Sequence, residues 1–183
     1  MNLRFILPIS IFAVLAVISS VAMISLLNGK RDTSQLPSPL IGKQAPALVS
    51  VIYSNLSQSQ TSEDLTASIN KGPYLVNFFA SWCAPCQKEA PFLEKLSLQL
   101  PIIGIAYKDR AEDLSLFLER FGNPFNQIGF DNDGKIAINW GVYGIPETFL
   151  ISAEGVVVAR HAGEISDKTI RTVLMPKLNE MLK

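Results

Sequence analysis

Apolar positions along this chain follow two spacings, and the switch between them predicts the elements. Residues 74–80 form a nearly continuous apolar run of strand length, and residues 102–107 repeat it. Such runs suit central strands covered on both faces. Residues 47–53 predict an earlier strand and 126–130 a short later one. Elsewhere the spacing is helical. Residues 84–99 carry an apolar face through Ala90, Leu93 and Leu96, with Pro91 inside it predicting a kink. Leu114, Phe117, Leu118 and Phe121 fall at i, i+3, i+4 and i+7 before Gly122 and Pro124. Thr61, Ser62, Glu63 and Asp64 ahead of Leu65 read as a helix cap with acids in the first turn, predicting a short helix to about Asn70. Residues 131–134 read as a turn and 135–140 as a short helix. The apolar runs 148–151 and 156–160 flank Ser152-Ala153-Glu154-Gly155 and predict a β-hairpin. Residues 167–182 read as a last helix, bent at Pro176. Strand and helix in alternation, then a hairpin and a helix, predict an α/β domain with helices on both faces of its sheet.

The N-terminus has no such period. Phe5 to Leu27 is 23 residues without a charge, roughly 34 Å as a helix and long enough for a bilayer. Arg4 ahead of it favours an inside N-terminus, whereas Lys30 and Arg31 after it weaken that orientation. The expected organisation is a membrane anchor over 1–29, a Pro- and Ser-rich linker over 30–39 and a folded domain over 40–183. A cleaved signal peptide, with Ser20-Val21-Ala22 as its small-residue site, is the alternative. Both put the domain outside the cytoplasm.

Charge excludes one function class. The chain holds 16 basic and 16 acidic residues, which leaves no electrostatic footprint for nucleic acid. The cysteines carry the chemistry. Both stand in Trp82-Cys83-Ala84-Pro85-Cys86, between the apolar run and the start of a helix. A C-x-x-C there exchanges dithiol for disulfide. Helix N-terminal N–H groups stabilise the thiolate of Cys83, expected as the nucleophile with its sulfur exposed. Cys86, one turn on and more buried, is expected to resolve the mixed disulfide. Pro85 falls where a missing N–H costs nothing. Zinc needs two further ligands, and the chain has one histidine and no third cysteine. A c-type haem needs histidine at 87, which is Gln87. No metal and no cofactor are therefore expected.

The segment from Val76 to Cys86, with Pro91 and Ile145-Pro146, resembles the thioredoxin superfamily. The segments 39–46, 104–109, 122–125 and above all Gly141-Val142-Tyr143-Gly144-Ile145-Pro146-Glu147-Thr148-Phe149-Leu150-Ile151 resemble the CcmG/DsbE family, membrane-anchored periplasmic proteins of cytochrome c maturation. The resemblance implies a thioredoxin-like fold, a central mixed sheet flanked by helices. It implies reduction of disulfides in apocytochrome c or its handling partners, with electrons from a membrane-embedded thiol reductase and the domain in the periplasm, tethered to the bacterial inner membrane. It implies a cis Pro146 packed against Cys83, aligning the substrate chain and blocking metal capture, and a Glu147 that supplies acidic character near the cysteines. Ala106, Phe125 and Ser152 depart from the family's usual Asn, Tyr and Asp.

Asn77 stands where thioredoxin keeps a buried Asp as proton acceptor for the second cysteine, and Asn cannot take a proton. Glu89 or Glu147 is then the candidate acceptor, unless Glu89 is an ordinary exposed helix residue. Trp82, Tyr143 and Ile145 are candidate walls of a substrate groove. Three activities stay open at this level: a dithiol reductant, a dithiol oxidase with the same motif, and a non-catalytic module that binds apocytochrome.

Overall fold

The computed structural model describes residues 3–27, 38–54, 57–67, 69 and 72–181. The chain divides into two units, Met1–Leu36 and Pro37–Lys183. In the first, the uncharged run forms one helix, α1 (Leu3–Leu27). Its described side chains, those of residues 10–25, are exposed. Among the described residues no helix is long and apolar enough to cross a membrane. Of the expected linker, only Ser38 and Pro39 are described.

The second unit is built on seven strands: β1 (Val49–Ser54), β2 (Ser57–Asp64), β3 (Tyr74–Phe79), β4 (Ile102–Tyr107), β5 (Gln127–Asp131), β6 (Glu147–Ile151) and β7 (Val157–Ala162). They form one sheet in the order β2-β1-β5-β4-β3-β6-β7. The centre, β5-β4-β3, is parallel. β6 and β7 extend it antiparallel on one side, β1 and β2 on the other. The sheet is thus mixed, as expected. Helices α2 (Ala84–Ser97) and α3 (Ala111–Phe121) follow β3 and β4, and the short α4 (Lys135–Asn139) follows β5. The parallel strands need such crossovers, because a tight turn cannot reverse the chain to a parallel neighbour.

Two expectations are corrected. The helix predicted from Thr61 is instead β2 and a turn. The capping signal is present, since Asp64 Oδ1 accepts the Thr66 N–H at 2.9 Å. It closes a turn, because the residues before it are held in the ladder with β1 and, among the described side chains of residues 62–67, only Leu65 is buried in the core. The last helix is not a simple bend. It runs as α5 (Asp167–Thr169), a π-helical turn (Ile170–Leu174) and α6 (Met175–Met181). Pro176 has no N–H and crowds the preceding turn, and the wider π turn lies just ahead of it, with the Met175 N–H bonded to Ile170 O.

The sheet separates two apolar clusters, and strand alternation decides which residue joins which. Val76, Phe78, Ile103, Ile105, Phe149 and Ile151 share one face with Trp140. There Trp140 meets the Phe149 ring edge-on at 5.0 Å, and Phe78 lies 5.7 Å from Trp140. Leu75, Phe79, Ala106 and Leu150 point the other way, into the cluster that holds Cys83, Cys86 and the inner faces of α2 and α3. Each large side chain buried in this way contributes about 1.5–3 kcal/mol. Gly104 is required on this second face. A Cβ would stand 2.9 Å from the rings of Phe79 and Phe125, which stack at 4.5 Å.

Candidate active site

β3 ends at Phe79 and delivers the chain into Ala80-Ser81-Trp82-Cys83. Cys83 is the N-cap of α2, in extended conformation, and its Sγ accepts the Cys86 N–H at 3.3 Å. Cys83 and Cys86 are joined by a disulfide with their Cα atoms 5.3 Å apart. Sulfur as N-cap places it among the unpaired N–H groups of the first helical turn, where negative charge is stabilised. The exposed sulfur expected for Cys83 is not seen in this oxidised state. Cys83 is 4 % exposed and Cys86 2 %, and both belong to the apolar cluster that holds Phe79 and Ala106.

Behind the disulfide lies a buried polar cluster that includes Glu89. Glu89 follows Cys86 by three residues, so the two lie on one side of α2. It is fully buried, which removes the reading as an exposed helix residue. Its Oε1 accepts the Asn77 amide at 3.0 Å and its Oε2 accepts the Ile165 N–H at 2.9 Å. The Asn77 amide also donates to Thr148 Oγ1 at 3.0 Å, while Asn77 Oδ1 is buried without a hydrogen bond. Burial pushes the Glu89 carboxyl up to about 7 against the pull of its two N–H donors, and the nearby Glu164 charge adds to the rise. A carboxyl held near neutrality exchanges protons readily at physiological pH.

Glu147 is different. It pairs in register with Phe78, and Asn77 with Thr148, so Glu147 lies on the Phe78 face while Glu89 meets Asn77 on the cysteine face. Its carboxylate forms a buried ion pair with Arg160 and accepts the Tyr143 N–H at 3.3 Å. The Arg160 guanidinium lies 4.8 Å from the centre of the Tyr143 ring. Glu147, expected to give the cysteines acidic character, has its carboxylate paired with Arg160 on the Phe78 face of the sheet. Ile145–Pro146 is cis, as the resemblance implies.

Trp82, Tyr143 and Ile145 are brought together. With Tyr107, Ile138 and Val142 they line a groove of about 340 Å³. Trp82 and Tyr143 are both mostly exposed. A second, shallower groove of about 450 Å³ lies on the α3 side of Trp82, lined by Ser81, Gln87, Asp113, Leu116 and Arg120. Sequence reasoning missed Thr148, Arg160 and Asp109 as parts of this region. Asp109 stood in a segment already singled out, 104–109, and a carboxylate just past a central strand was its signal. The contacts of Thr148 and Arg160 depend on register and leave no local trace.

A disulfide that caps a helix in a thioredoxin-like sheet, over a buried near-neutral carboxyl, defines a thiol:disulfide oxidoreductase. The Redoxin family profile matches residues 40–174. The chain is 38 % identical to a thiol:disulfide interchange protein DsbE homolog of Paracoccus denitrificans, over 96 % of this chain and 93 % of that one. It is 37 % identical to the thiol:disulfide interchange protein CycY of Rhizobium leguminosarum, over 83 % and 81 % of the two chains. Its fold is similar to a thiol-disulfide oxidoreductase from Bacteroides fragilis, with a TM-score of 0.60, 21 % identity and coverage of 75 % and 98 %. The chain belongs to the CcmG/DsbE family of thiol:disulfide interchange proteins.

Proposed function

We propose that this protein is a periplasmic dithiol reductant of cytochrome c maturation, held to the bacterial inner membrane by residues 1–29 through the linker 30–39. Its substrates are the disulfides of apocytochrome c or its handling partners, and a membrane-embedded thiol reductase recharges it. The observation that carries the chemistry is the Cys83 sulfur capping α2 beside Cys86. The uncharged run from Phe5 to Leu27 and the family resemblance support the anchor and the compartment. An oxidising compartment also demands a dedicated electron donor.

In the reduced protein the Cys83 thiolate attacks one sulfur of a substrate disulfide. The substrate S–S bond breaks, its second sulfur leaves as thiolate, and a mixed disulfide forms. Cys86 passes its proton to Glu89 and attacks the Cys83 sulfur. The substrate departs with both sulfurs reduced, and the Cys83–Cys86 disulfide remains. Trp82, Tyr143 and Ile145 line the groove in which the substrate chain lies, and Pro146 aligns it.

Cys86→Ala tests the sequence of steps. It should accumulate a mixed disulfide through Cys83, read as a gel shift that reductant abolishes. Equal capture of unfolded apocytochrome by a protein lacking both cysteines would instead indicate a binding module. A redox titration separates reductant from oxidase. A potential near the value of about −120 mV found for strong oxidants would overturn the reductant reading, since each 29.6 mV is about tenfold in equilibrium constant.

A further inference from the structure

The segment that presents the disulfide is held from outside by the loop between β4 and α3. Asp109 Oδ2 accepts the Ser81 N–H at 2.6 Å, and Oδ1 accepts the Ser81 hydroxyl at 2.7 Å. Oδ1 also accepts the Arg110 N–H at 2.9 Å. One residue earlier, the Lys108 carbonyl accepts the Trp82 indole N–H at 3.4 Å. Lys108 is the one non-glycine residue among those described with positive φ, 47°. That conformation is costly for a side chain with a Cβ and persists where surrounding bonds enforce it. Here the Lys108 N–H is fixed on Asp131 O at 3.0 Å. Asp109 is itself buried. From Ser81 the hold passes to Trp82, the one residue that lines both grooves.

We infer that Asp109 is a positioning residue that sets substrate choice: by clamping Ser81 it fixes Trp82 as the partition between the two grooves, and so favours disulfides within a peptide chain over small disulfides. The inference rests on the reductant reading above. A peptide flanking the attacked cysteine must lie along a groove whose wall is Trp82. A small disulfide needs only the Cys83 sulfur. Loosening the wall therefore penalises the first and spares the second.

Asp109→Asn is the sharpest variant. The two carboxylate oxygens serve two backbone donors, Ser81 on one and Arg110 on the other. An amide turned either way sets an NH2 group against one of them. Ser81→Ala removes only the hydroxyl bond and leaves the loop untouched, so it reports even where Asp109→Asn folds poorly. The reduced protein is mixed in single turnover with a decapeptide closed by a Cys-x-x-Cys disulfide between apolar flanks, and separately with glutathione disulfide. Asp109→Asn should lower the rate on the peptide about tenfold and that on glutathione disulfide less than twofold; Ser81→Ala should give about a threefold loss on the peptide alone. The Trp82 indole N–H resonance, assigned through its absence in Trp82→Phe, should shift and exchange faster in both variants. An unchanged peptide-to-glutathione ratio in both, or an equal loss on the two probes, overturns the inference. A wild-type protein that reduces neither probe overturns the reductant reading and the inference with it.

Discussion

Glu89→Gln should slow resolution of the mixed disulfide at pH 7–8 by roughly a hundredfold, the low end of what a positioned proton acceptor contributes. The measurement is stopped-flow release of substrate from the Cys83 mixed disulfide. The same variant should change how stability depends on pH. In the oxidised fold Glu89 titrates near 7, raised chiefly by burial from its ordinary 4.5. A raised carboxyl favours the fold while protonated. Its contribution is complete below 4.5 and is lost as pH rises through about 7, worth about 3 kcal/mol over that window. Urea unfolding of the wild-type domain should therefore show stability falling between pH 4.5 and 7, and Glu89→Gln should flatten that fall. Gln fits the site. Its oxygen can keep the Ile165 N–H, and Asn77, whose Oδ1 is buried without a hydrogen bond, can turn to accept the new NH2 group. A variant with wild-type resolution rates and an unchanged pH–stability curve would remove Glu89 from the chemistry.

Glu147→Gln should act in the opposite manner, costing stability and leaving the thiols alone. Its carboxylate and Arg160 form an ion pair in which both side chains are buried. Neutralising one partner of such a pair costs about 3 kcal/mol, because the other charge stays in a poorly solvated site. In urea the midpoint should fall by roughly 1–2 M. Arg160→Gln in the same background should recover part of the loss, the signature of direct coupling. The titration of Cys83 should move little, since Glu147 lies on the Phe78 face of β3 while Glu89 and Asn77 lie on the other. A shift of a full unit in that titration with unchanged stability would reverse the assignment.

These two carboxyls show what the chain discloses without coordinates. The central strands were legible, because a run that is apolar on both sides has only one place in an α/β sheet. The redox pair was legible, because the chemistry needs both sulfurs within one helical turn. The sequence also offers both glutamates as alternatives for a single role. Choosing between them needed the pairing of Phe78 with Glu147 and of Asn77 with Thr148. A shift of one residue would have exchanged the faces. The polar residues 61–64 read as a helix cap for the same reason: Asp64 makes a capping bond in either setting, and only the ladder with β1 decides that the chain is extended. The Asp109 clamp joins residues 28 apart in sequence, and nothing in either segment announces its counterpart.

The sheet has two outer rims. β2 forms one, with the sequence Ser-Gln-Ser-Gln-Thr-Ser-Glu-Asp and no apolar residue. β7 forms the other, and its start is already occupied: Gly42 donates to Val157 O, Val157 donates to Lys43 O, and Gln44 bridges Val156. Unsheltered rims recruit extended chains by backbone zippering. In this oxidoreductase one rim carries only polar side chains and the other is paired at its start, so the sheet offers an extended chain little open backbone beside the Cys83–Cys86 site.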